Sequence, residues 1–151
     1  MEFTAPGKVI LFGEHAVVYG QPAIAVPLSG LRARAWVEPT RDGAGLVIHA
    51  RDLGQRLTLG GDPAHQFSVA VQAVLARAGA PEPNVTVNLE SAIPSAAGMG
   101  SSAATSTAVC RALAAHLGTE LSANAVSTSV LQVQRVVHGT PRGLDHTVRP
   151  A

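Results

Sequence analysis

The sequence predicts an α+β domain with helices packed on one side of a largely antiparallel sheet, and three observations carry that assignment. Residues 3–59 fall into short apolar or alternating runs separated by glycine, proline and aspartate, the punctuation of strands and turns. Three later segments, 62–78, 100–117 and 122–138, place apolar residues at helical spacing between a start signal and a glycine stop. Over 151 residues, 46% hydrophobic and 14% charged side chains suffice for one buried core and exclude a disordered polyelectrolyte. Aromatics make up only 3%, so Ala, Val, Leu and Ile must fill that core.

Residues 3–5 and 8–13 read as extended segments broken by Pro6-Gly7. Within the second, Val9-Ile10-Leu11-Phe12 is a continuous apolar run, expected to be a strand buried on both faces. Residues 23–28 form another apolar piece. After Ser29-Gly30, Leu31, Ala33, Ala35 and Val37 alternate with Arg32, Arg34, Trp36 and Glu38, the pattern of a half-buried strand. A turn at 41–45 leads to a hairpin, 46–49 and 55–59, which is expected to be structural. Asp62-Pro63 offers an N-cap acceptor followed by a proline at the first helical position, so a helix is predicted from there to Ala78, stopped by Gly79. Phe67, Val71, Val74 and Leu75 supply its apolar stripe. Val85, Val87 and Leu89 alternate with Thr86, Asn88 and Glu90 in a further strand that runs into the helix at 100–117. Ser122 can cap the last helix, whose Val126, Val130, Val133 and Val137 face the core.

Charge and cysteine usage narrow the function classes. Eleven basic and ten acidic residues are interspersed, leaving a net charge of +1 and no electrostatic footprint for nucleic acid or an anionic membrane. Residues 91–110 are uncharged, yet Pro94, two glycines and many hydroxyls argue against a membrane span. The N-terminus lacks the basic and apolar regions of a signal peptide, and the single Cys110 fits a reducing compartment, so the cytoplasm is expected. The six histidines show no paired spacing of the zinc-ligand type.

Three stretches carry chemistry. The first is Ile93-Pro94-Ser95-Ala96-Ala97-Gly98-Met99-Gly100-Ser101-Ser102-Ala103-Ala104, where a proline ends an extended run and glycines and hydroxyls open a helix. The first N–H groups of a helix lack internal partners and carry the positive end of its dipole, so a phosphate can take the place of the missing acceptors. Glycine lets the phosphate oxygens reach those amides. A glycine-serine helix start without a ligand has the same letters. The second is Gly13-Glu14-His15, two ionisable groups delivered by the first apolar strand, where a loop salt bridge is the alternative. The third is His138-Gly139-Thr140-Pro141-Arg142-Gly143-Leu144-Asp145, which sets a carboxylate on a tightly shaped loop. Gln134 lies one turn before His138 on the same helical face.

Together these stretches resemble the GHMP kinase superfamily and, within it, the mevalonate kinases. The matching residues are Pro6-Gly7-Lys8-Val9-Ile10-Leu11-Phe12-Gly13-Glu14-His15-Ala16-Val17-Val18-Tyr19-Gly20, then Pro94 through Ala104, then His138-Gly139-Thr140-Pro141 and Gly143-Leu144-Asp145. The resemblance implies the superfamily's N-terminal, ATP-binding domain over 1–151, with a left-handed βαβ crossover and without the C-terminal domain. It implies ATP-dependent phosphotransfer to the 5-hydroxyl of mevalonate or a related alcohol, with Mg²⁺. On that basis Asp145 would activate or orient the hydroxyl, and Lys8 would neutralise charge on the Asp and on the phosphoryl group. Glu14, His15 and His138 would lie toward the substrate. Pro94, Ala97, Gly98, Met99, Gly100, Ser101, Ser102 and Ala103 would form the phosphate loop, with Ser102 and Gln134 at the metal.

Three departures from the family pattern stand out. Gln134 occupies the position of a Glu that ligates Mg²⁺, and a neutral amide is a poorer ligand for that ion. Arg142 stands where the family usually has Ser, so a cation sits close to Asp145 in sequence. The chain also ends where a second domain would begin to close the cleft, which leads one to expect weak turnover and self-association through the surface that domain would cover. Two classes of function therefore stand side by side: a phosphotransferase, and a nucleotide-binding or interaction module without catalysis.

Overall fold

A five-stranded mixed sheet in the order β1-β2-β5-β3-β4 carries three helices. The computed structural model describes residues 1–14, 19–40, 43–59, 61–63 and 65–138, with side chains as far as 135. The strands are β1 (Glu2–Phe12), β2 (Ile24–Pro39), β3 (Val47–Ala50), β4 (Gln55–Thr58) and β5 (Val85–Ser91). The helices are α1 (Gln66–Ala78), α2 (Ser101–His116) and α3 (Ala123–His138). All pairings are antiparallel except β3 with β5, which run parallel and are joined through β4 and α1. This is the α+β class expected, with one crossover.

The four extended pieces expected before residue 39 are two long strands. In the register, Pro6 faces Arg32 but Gly7 already faces Leu28, so Ser29, Gly30 and Leu31 bulge out opposite the Pro6-Gly7 step. A bulge absorbs the irregularity that proline and glycine impose, and a proline on an edge strand gives up no ladder bond. The breaker residues mark a kink here and not an end.

The alternation of β2 holds. Ala33 and Ala35 are fully buried, and together with Ala5, Leu89 and Val87 they share one core with α1 and α2. Arg32 and Arg34 on the opposite face bond to Thr4 and to Glu90 respectively. In β5, Thr86 and Asn88 are buried as well, because Asn88 is enclosed by Arg51 and Glu38, which bond its side-chain amide on either side. The run Val9 to Phe12 departs from expectation. Phe12 is 70% exposed, as are Leu11, Tyr19 and its register partner Ile24 in large part, because β1 and β2 extend beyond the part of the sheet that the helices cover.

Helix α1 begins at Gln66 and not at Asp62-Pro63. His65 is its N-cap, with Nδ1 accepting from the Phe67 amide at 3.2 Å, and Gly79 ends it in the left-handed conformation as expected. Helix α2 lies against β1, β2 and β5 on one side and α1 and α3 on the other. Its buried residues are mostly Ala, Ser, Thr and Val, small enough for layers to approach closely from both sides. Ser122 caps α3, accepting from the Ala125 amide at 3.2 Å, and Val126, Val130 and Val133 are buried. Val137 lies outside the residues whose side chains are described. No helix among the described residues is long and apolar enough to cross a membrane.

Two consequences for stability follow from α2. Ser106 on α2 and Ser68 on α1 are buried with hydroxyls that have no hydrogen-bond partner among the described residues. Since an unsatisfied buried hydroxyl costs about 1–3 kcal/mol, Ser106→Ala should raise the unfolding free energy by about 1 kcal/mol in denaturant titration. A loss of stability of that size would contradict this account. Complete burial also pushes the Cys110 thiol up from 9.0 to about 12. The folded state then keeps a proton that the unfolded state releases, so Cys110 contributes a loss of stability as pH rises above about 9. At pH 8 a thiol reagent should modify Cys110 only at the rate of unfolding, which mass spectrometry can follow with and without denaturant.

Candidate active site

Backbone conformation shapes the segment between β5 and α2. Among the described residues Ala96 is the only non-glycine with positive φ, at 59°, and Gly98 and Gly100 follow at 69° each. Ala97 and Met99 between them are not positive, so the sign of φ alternates from Ala96 to Gly100. Alternation of this kind is the backbone signature of segments that turn successive N–H groups toward one side to hold an anion. Ala96 bears a strain there that glycine would not. Residues 94–98 are exposed, so this segment is open to solvent.

The segment continues into the start of α2. Gly100 is the N-cap and contributes no side chain, and the first turn holds no acidic residue that would occupy the free amides. The hydroxyl of Thr105 donates to the carbonyls of Ser101 and Ser102, at 2.9 and 3.1 Å, and so leaves the amide end alone.

Lys8 brings a positive charge to the same place. Its amide donates to the Met99 carbonyl at 2.9 Å, which lays the edge of β1 along the loop. A Cβ on Gly7 would stand 2.9 Å from that same carbonyl, so the approach requires glycine. The Lys8 side chain then runs past Gly100, where a Cβ would stand 3.1 Å from its Cγ and 3.3 Å from its Cε. Only 5% of Lys8 is exposed. Its aliphatic stem is thus held against the helix start, which keeps the side chain beside Gly100.

Ser102 joins all three helices. Its hydroxyl donates to Oε1 of Gln66, the first residue of α1, at 2.5 Å, and accepts from Nε2 of Gln134 on α3 at 3.2 Å. Gln66 and Ser102 also line a cavity of about 330 Å³ beside the loop, whose far wall includes Ile48, Leu53 and Leu57 from the β3–β4 hairpin. The hairpin expected to be only structural therefore forms part of a concave site. An apolar wall facing hydroxyl and amide groups suits a flat heterocycle with a polar tail.

The structure gathers Lys8, the loop from Pro94 to Ala103, Ser102 and Gln134 around one helix start. Glu14 is exposed, beyond the end of β1, and Gly13 before it has φ of 87° with no room for a Cβ, which would stand 2.7 Å from the Pro22 carbonyl. His15, Arg142 and Asp145 lie outside the described residues, as does the side chain of His138. Gln66 and the cavity wall escaped the sequence reading. Gln66 sits inside a segment read as helix interior, and only the fold brings it to Ser102.

Comparison with known proteins agrees with this architecture. Residues 65–148 match the family model for the GHMP kinases N terminal domain. Mevalonate kinase of Thermococcus onnurineus is 37% identical over 161 residues, covering 96% of this chain and 48% of the relative. For mevalonate kinase of Aeropyrum pernix the identity is 36%, covering 96% and 46%. Among solved structures, Methanococcus jannaschii mevalonate kinase superposes with a TM-score of 0.85 at 27% identity, covering 97% of this chain and 50% of that one. L. major mevalonate kinase, solved in complex with R-mevalonate, gives 0.69 at 28% identity, covering 97% and 45%. The chain spans about half the length of the curated relatives it matches. With a family model that matches more than half of its residues, and relatives whose similarity spans nearly all of this chain, the chain belongs to the GHMP kinases, as their N-terminal domain.

Proposed function

We propose that this chain is the ATP-binding domain, over residues 1–151, of a cytoplasmic phosphotransferase of the mevalonate kinase type. The observation that carries the proposal is the loop from Ala96 to Gly100, whose alternating φ aims amides at one point while Lys8 lies across Gly100. Phosphoryl transfer asks mainly for positioning and charge neutralisation, and this arrangement offers both. The base and ribose of ATP occupy the cavity beside Gln66, and the phosphates lie over the amides of Gly98 to Ala103. Lys8 neutralises charge on the transferred group.

In the reaction proposed, the 5-hydroxyl oxygen of mevalonate bonds to the γ-phosphorus as the bond to the bridging oxygen of ADP breaks. Asp145 takes the hydroxyl proton or orients the hydroxyl, and Glu14, His15 and His138 bind the alcohol. These four residues take their roles from the resemblance of the motifs.

Magnesium fits the described donors poorly. Ser102 and Gln134 are within 3.2 Å of each other, but as a hydrogen-bonded pair in which the amide N–H faces the hydroxyl. Magnesium calls for oxygen ligands, preferably charged, and no group of three or more His, Cys, Asp or Glu side chains gathers among the described residues. No step is assigned to the ion. The same neutrality favours a second function, a nucleotide-binding module that does not turn over.

A coupled assay of ADP release with mevalonate and Mg-ATP decides between the two. Turnover abolished by Asp145→Ala supports the enzyme, whereas ATP binding by calorimetry without turnover supports the module. Absence of both would overturn the proposal. Gly100→Ala should weaken ATP binding by about tenfold or more, since a Cβ would press on Lys8 and strain a left-handed residue. Lys8→Met should cost about tenfold to a hundredfold in affinity, the range for a hydrogen bond to a charged group.

A further inference from the structure

Ser102 has already committed its hydroxyl. A serine oxygen carries one proton and two lone pairs, and a glutamine amide carries two N–H groups and one acceptor oxygen. Ser102 gives its proton to Gln66 Oε1 at 2.5 Å and one lone pair to Gln134 Nε2 at 3.2 Å. Gln66 has engaged one lone pair of its Oε1 on Ser102, its two N–H donors are unused by that bond, and the residue lines the cavity. Gln134 is only 2% exposed, so its amide is a fixed part of the core and not a surface group resting on Ser102. The cluster is neutral: it holds N–H donors and the amide oxygens of Gln66 and Gln134, and no carboxylate.

N–H donors can meet an anion, whereas a divalent cation calls for negatively charged oxygen ligands, and this cluster has none. We infer that the Gln66–Ser102–Gln134 clamp takes the place of a bound cation at the mouth of the phosphate loop, so that this chain binds a polyphosphate without divalent metal. The inference rests on the nucleotide site proposed above. In it Gln66 is a direct donor from the cavity wall, and Gln134 is a positioning residue that acts through Ser102. The positive charge needed is that of Lys8, whose stem is held over Gly100 within the same loop.

Calorimetric titration of the full chain with ATP, and separately with tripolyphosphate, in EDTA and in Mg²⁺ tests this directly. The two media should give affinities within about twofold of each other for the unaltered chain. Gln134→Glu sets a buried carboxylate beside the phosphates, so affinity in EDTA should fall about tenfold or more and recover with Mg²⁺. Gln66→Leu should weaken binding severalfold in both media, leaving their ratio near one. Thermal melting monitored by circular dichroism checks that each variant is folded. If Gln134→Glu does not fold, Gln66→Glu carries the same charge change at the partly exposed first position of α1. Affinity of the unaltered chain that drops tenfold or more in EDTA would overturn the clamp and leave the nucleotide site standing. No binding of either anion in either medium would overturn the nucleotide site and the clamp together.

Discussion

The contact between β1 and the start of α2 is the constraint on which the rest depends. One backbone hydrogen bond, from the Lys8 amide to the Met99 carbonyl at 2.9 Å, ties the edge strand to the loop. Glycines on both sides, Gly7 and Gly100, remove the Cβ atoms that would hold the two apart. A single bond of this kind contributes only about 1 kcal/mol net, so its importance is geometric. It sets where the Lys8 side chain emerges, and hence where a positive charge stands relative to the amides of the helix. Charge interactions fall off steeply with distance and with solvent access, so in a chain with net charge of +1 the field at this helix start is set by such local placement.

Helix α2 makes that placement rigid. It is buried on most of its circumference, between the sheet and the other two helices. Large side chains would push those layers apart, and Ala103, Ala104, Ala108 and Ala112 do not. Close packing of small residues leaves little freedom to translate, because any shift opens voids or creates overlaps along the whole helix. The helix start, which carries the free amides, is therefore fixed from behind by the core and from the side by β1. Loop residues 94–98 are the exposed part of this assembly, and they are held in shape by alternating backbone conformation and the two ties at Met99 and Gly100.

Much of this was legible in the chain, and the failures have physical causes. Strict alternation in residues 31–38 identified a strand with one buried face, because the period of two follows directly from the pleat. Glycine stops were correct at Gly79, where the left-handed conformation requires it. The start of α1 was misplaced because Asp62-Pro63 is a good local cap, while the actual cap, a histidine nitrogen on His65, has a weak signal. The run Val9 to Phe12 misled for a different reason: hydrophobicity shows that a segment can be buried, not how far the covering helices extend. Within the site, Lys8 and the loop were legible because local glycine chemistry marks them. Gln66 was not, since its partner lies 36 positions away and only the packing of α1 on α2 joins them.

The clamp on Ser102 shows how a polar group can sit at the meeting point of three helices without weakening it. A buried hydroxyl left alone is costly, as at Ser106, but Ser102 has a partner for its proton and another for its oxygen. Since α1 provides one partner and α3 the other, both protein partners are present only when all three helices are docked. The polar network thus couples assembly of the helical layer to the start of α2, two residues after Gly100. A charged partner in place of Gln134 would carry a desolvation cost that a neutral amide avoids, and would need an opposite charge to offset it. In a core this poor in charge, amides satisfy the hydroxyl at no such cost and add no negative charge beside the helix start.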